Sequence, residues 1–99
     1  MSAAAISVVR TATHGFRVEF VGDGEPSTHH VEVPDGLATR LGWPEPDEDR
    51  LVECSFEFLL EREPASSILR RFGLEVIGRY FPEYEAEMRR RAPVAPTDA

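Results

Sequence analysis

The sequence predicts an α+β fold: an N-terminal antiparallel β-meander/hairpin packed against three to four C-terminal helices. Three observations carry this. Apolar and charged residues alternate at Phe16-Arg17-Val18-Glu19-Phe20-Val21, the period-two pattern of a strand with one buried face. Acids stack at Glu53, Glu57 and Glu61, leaving the apolar residues to other faces, which is the period of a helix. Strand signals precede helix signals with no βαβ alternation.

Taken in order, Ile6-Ser7-Val8-Val9-Arg10-Thr11 is a strand candidate, and Thr13-His14-Gly15 is the turn into Phe16–Val21. Gly22-Asp23-Gly24-Glu25-Pro26-Ser27 has turn chemistry, and Thr28-His29-His30-Val31-Glu32-Val33 alternates again, so the two runs form a hairpin. Leu37–Leu41 is a short helical segment stopped by Gly42, and Trp43-Pro44-Glu45-Pro46 is a rigid connector. Asp47-Glu48-Asp49 places acids at a helix N-terminus. The run over residues 50–61 reads as a strand only if Leu59 falls on the wrong face, so a helix is expected. Pro64 opens the next segment, where Ile68, Leu69 and Phe72 have helical spacing and Gly73 punctuates. A further helix is expected from Leu74 to Phe81, restarted by Pro82 and running to Arg91 with acids leading and arginines trailing. The domain layout is therefore one domain over 1–99, β-rich over 6–34 and helical over 35–91, with frayed tails at about 1–5 and 92–99.

The 99 residues are 41% apolar and 29% charged, and they include 18 acids and 11 bases for a net charge of −7. That is the composition of one small globular domain, large enough for a core without metal or disulfide help. Every base is Arg, and Lys, Asn and Gln are absent, which fits codon usage in a GC-rich genome. The acidic balance argues against a nucleic-acid coat protein. Cys54 is the lone cysteine, so no internal disulfide forms, and Met1–Val9 lacks a signal peptide's basic start. No apolar run approaches a membrane span. A cytoplasmic protein with no membrane contact is expected.

The segments Phe58-Leu59-Leu60-Glu61-Arg62-Glu63-Pro64, Ser67-Ile68-Leu69 and Tyr80-Phe81-Pro82-Glu83-Tyr84 resemble a group of small uncharacterised bacterial proteins over roughly residues 56–84. That group has no established activity, so the resemblance brings no catalytic residues to this chain.

Chemical motifs fail on spacing. His29 and His30 point to opposite faces of a strand, His14 lies in a turn, and no CxxC or HxxxH pair exists, so all three are expected to be ordinary surface or edge histidines. An EF-hand counted from Asp47 would need Gly and Glu where Val52 and Phe58 stand. Ser66-Ser67 is not a nucleophile elbow, Gly22-Asp23-Gly24 is not a phosphate loop, and Cys54 beside Glu53 and Glu57 is a structural thiol expected to be buried. No catalytic, cofactor or metal residues are assigned, and no cofactor is expected. A helix-turn-helix over residues 64–91 is the alternative: Ser66–Phe72, a Gly73-Leu74 turn, then Glu75–Phe81, with seven Arg against five Glu over 62–91. Arg79 and Pro82 fall where that motif needs buried residues.

The expected function is a non-catalytic accessory or regulatory protein acting through protein–protein interaction. Its contact residues are Arg70, Arg71, Arg79, Tyr80 and Tyr84, the residue types that dominate interfaces. DNA binding is the second reading, and an enzyme using His14, His29 or His30 with neighbouring acids is the third.

Overall fold

The computed structural model describes residues 5–22 and 26–92, with the backbone only of Glu45. Strands β1 (Ala5–Ala12), β2 (Gly15–Val21) and β3 (Ser27–Glu32) form an antiparallel meander, and β4 (Arg71–Gly73) joins β3 in parallel. The helices are α1 (Leu37–Arg40), α2 (Glu48–Leu60), α3 (Glu75–Tyr80) and α4 (Tyr84–Arg91). The α+β class and the order of strands before helices are as the sequence predicts. The hairpin turn expected at 22–27 and the frayed tails lie, at 23–25, 1–4 and 93–99, outside the described residues.

Alternation sends Phe16, Val18, Val31 and Val33 to the inner face of the sheet, where all are buried, while Phe20 is half-buried. Helix α2 covers that face with Leu51, Val52, Phe56 and Leu59 and leaves Glu53, Glu57 and Glu61 exposed together. Burial of this apolar stripe, rather than propensity, fixes the helix. Gly42, at φ 85°, ends the α1 turn, and Trp43 N–H donates back to the Ala38 carbonyl at 2.8 Å. Glycine suits that left-handed position. Trp43 then buries its ring and donates from Nε1 to the Met88 carbonyl at 2.9 Å, tying the connector to α4.

Three expectations are corrected here. Residues 66–72 form no helix: a 3-10 turn, Ala65–Ser67, leads into β4. The helix-turn-helix over 64–91 therefore loses its first helix, and the part expected to be helical, 35–91, contains a strand. The strand wins because β3 offers an open ladder, and β4 fills it, with His30 N–H donating to the Arg70 carbonyl at 2.7 Å and Leu74 N–H to the Glu32 carbonyl at 2.9 Å.

Tyr84 is the second correction. Its side chain is core, edge-on to Phe58 at 5.4 Å, and its hydroxyl donates to Ser55 Oγ at 2.7 Å. It cannot serve on a contact surface of the folded chain. Burial pushes its phenol well above the ordinary tyrosine range. The unfolded chain ionises that phenol while the native state keeps it protonated, so stability is full below the unfolded value and falls as pH rises through it. Melts recorded between about pH 8 and pH 11 should show this decline, and Tyr84→Phe should remove most of it. An equal slope in both proteins would place the cause elsewhere.

The third correction concerns His29, expected at the surface or an edge. It is 1% exposed. Its Nδ1–H donates to the Leu69 carbonyl at 2.8 Å, Nε2 accepts from Ser27 at 3.0 Å, and its ring packs on Phe56.

Candidate functional site

The segment after α2 builds an open apolar groove. Pro64 and the 3-10 turn swing the chain away from α2, Ile68 drops into the core, and Leu69 stays outside. Phe72 of β4 faces inward against Phe56, with ring centroids 6.0 Å apart. Helix α3 anchors through Ile77, which puts Val76 and Tyr80 on the adjoining side of the helix. Leu59, Leu69, Phe72, Val76 and Tyr80 line a cavity of about 420 Å³, with Glu63 among its wall residues. Tyr80 is 69% exposed and Leu69 51%, which leaves two large apolar side chains in water beside an open groove. Exposed apolar side chains occur singly without meaning; here two of them flank one opening.

The structure divides the five sequence-predicted contact residues. Tyr80 is on the groove wall, whereas Arg79, one position before it on α3, is exposed and is not among the residues that line the groove. Arg70 is exposed and follows Leu69 directly. Arg71 goes elsewhere: strand alternation opposite to Phe72 turns it to the outer sheet face beside exposed His30, its register partner. Tyr84 is core. Among the described residues, Arg70, Arg71 and Arg79 make no ion pair, whereas Arg62 binds Glu83 at 3.1 Å and stacks 3.6 Å over Phe58, and Arg91 binds Glu87 at 2.7 Å. These pairs hold the Glu83 and Glu87 carboxyls below the usual range; at Glu83 the largest cause is a bond to its own backbone N–H, ahead of Arg62. Sequence reading missed Val76 and Leu69 as groove walls. Their signal was an excess of apolar residues over what one helix face needs.

A second polar cluster lies near the other sheet edge. Glu48, 1% exposed, opens α2 with a carboxylate that accepts from His14 Nδ1 at 3.0 and 3.1 Å. Arg10 stands 3.8 Å away, and exposed Asp35 is 3.5 Å from His14 Nε2. A buried carboxylate without partners is expensive, and here the imidazole and the positive end of α2 supply them. His14 also lines a shallow cleft. The His14–Glu48 contact clamps the β1–β2 turn to α2.

Cys54 is half-buried on α2. Burial pushes its thiol up, against a weaker opposing effect from Arg91, whose guanidinium lies 4.0 Å from Sγ. Among the described residues, no group of three or more His, Cys, Asp or Glu is placed to hold a metal ion, and no helix is long and apolar enough to cross a membrane. Compared with family models, curated proteins and solved structures, the chain matches none.

Proposed function

We propose that the chain is a small cytoplasmic accessory or regulatory protein without catalytic activity, which acts by binding another protein in the groove between β4 and α3. The carrying observation is the apolar opening itself, with Tyr80 and Leu69 held in water beside it. Tyrosine gives a large, amphipathic contact area with few torsions to freeze, which suits it to an interface anchor. Arg79 and Arg70, with no internal carboxylate partners among the described residues, are available for charge-assisted bonds at the rim. A partner segment that places apolar side chains in the groove and acids against these arginines satisfies both features.

Tyr80→Ala and Leu69→Ala should each weaken capture of the native partner, by about tenfold or more. Both side chains are already exposed, so the melting temperature should change little, as for surface substitutions of about 0.5 kcal/mol or less. The measurement is quantitative affinity capture from the native host, wild type against each variant, with a melt of each protein. Capture that is unchanged in both variants would remove the groove from the interface.

A further inference from the structure

We propose that the outer face of the sheet carries a binding site for a phosphorylated side chain of a partner protein, built from Arg17, His30 and Arg71. Helix α2 covers the inner face, whereas the outer face stands in water: Val9, Glu19, Thr28, His30, Glu32 and Arg71 are all exposed. The register sets Val9 opposite Arg17, Arg17 opposite His30, and His30 opposite Arg71. One row therefore crosses all four strands and holds three basic side chains next to one another. Neighbouring strands lie about 4.8 Å apart, and like charges set directly opposite each other oppose folding. A chain with 18 acids against 11 bases could neutralise such a row, and its register does not. Glu19 is paired with Thr28, and Glu32 with Gly15 and Gly73.

Among the described residues, the Arg71 guanidinium and the His30 imidazole have no ion-pair or hydrogen-bond partner, and the buried Arg17 Nε has no hydrogen-bond acceptor, although the Glu19 carboxylate lies 3.2 Å from it. Buried polar atoms in folded chains are otherwise satisfied, so an orphan of this kind asks for an acceptor. The Arg17–Glu19 pair is well exposed and holds the guanidinium weakly. The occupant follows from charge and size. Two guanidinium groups with an imidazole between them carry more positive charge than one carboxylate meets, whereas a phosphomonoester brings about −1.5 to −2 and three acceptor oxygens. A long polyanion fits poorly, because Glu19 and Glu32 stand in the rows on either side and the whole chain is acidic. On an open face water competes for a free phosphate, but a phosphate carried on a protein is held by its neighbours. Val9, 42% exposed at the end of the row, offers those neighbours an apolar contact. The site shares no side chain with the groove.

Calorimetric titration of the full chain with a short alanine–valine peptide carrying a central phosphoserine tests the site. The phosphopeptide should bind about tenfold tighter or more than its unphosphorylated twin and than inorganic phosphate. Arg17→Ala and Arg71→Ala should each weaken it by about tenfold, as expected for loss of a charge-assisted bond. Arg50→Ala, which removes an exposed arginine on α2, should leave binding unchanged. These are surface substitutions, so the melting temperature should hold in all three variants. Equal affinity for the two peptides would overturn the proposal. A loss at Arg50 as large as that at Arg71 would do the same, by reducing the effect to net charge. Inorganic phosphate bound as tightly as the phosphopeptide would overturn the protein-borne occupant in favour of a free anion. A single-stranded oligonucleotide bound more tightly through the same arginines would overturn it in favour of nucleic acid.

Discussion

Tyr84→Ala should destabilise the native state by about 3–5 kcal/mol, the usual cost of emptying a buried aromatic site. The ring is fully buried, sits edge-on to Phe58, and is held by Ser55, so its removal leaves a void between α2 and α4. The Ser55 hydroxyl keeps a partner in the Leu51 carbonyl, 2.8 Å away, which limits the polar part of the loss. Tyr84→Phe should therefore cost only about 0.5–1.5 kcal/mol, the net worth of one hydrogen bond. Urea unfolding of the three proteins measures both differences. A loss below about 1 kcal/mol in the alanine variant would show that the site collapses or that the ring is not core.

Trp43→Ala should cost a similar amount, about 3–5 kcal/mol. Here the loss is also topological. The indole fastens the connector after α1 to the backbone of α4 at Met88, in a region bounded by two prolines and Gly42. Without it, the Met88 carbonyl loses its donor and α4 loses one of its anchors. Trp43→Phe keeps most of the buried ring but not the donor, and should fall between wild type and alanine. Near-equal unfolding midpoints for Trp43→Phe and Trp43→Ala would assign the whole effect to the hydrogen bond.

Much of the architecture was legible because local and tertiary demands agree. Alternation at 16–21 and 28–33, the Glu53/Glu57/Glu61 stripe and the Gly42 stop each name an element that is present. Disagreement begins where tertiary demand overrides local pattern. Ile68, Leu69 and Phe72 have helical spacing, yet β3 needs a ladder partner, and three residues from 71 to 73 supply it. Nothing in three residues encodes a strand. Of the proposed contact residues, the arginine and tyrosine types pointed to the C-terminal region, but burial of Tyr84 and the outward turn of Arg71 depend on packing and strand parity. Glu48, read only as one of the acids at a helix N-terminus, is buried, and His14 reaches it from a turn 34 positions earlier.

The parallel union of β3 with β4 has a kinetic meaning. The meander closes through short turns, whereas His30 meets Arg71 only after α1 and α2 have been laid across the sheet. Loop closure over that span costs more entropy than closing the short turns of the meander. Pairing of β4 is accordingly expected to follow closure of the meander, and a ladder of three residues is expected to open more readily than the long ladders beside it. Phe72 belongs to β4 and α3 follows it directly, so the groove they line exists only while β4 is paired. Any ligand of that groove would draw the opening equilibrium towards the closed state.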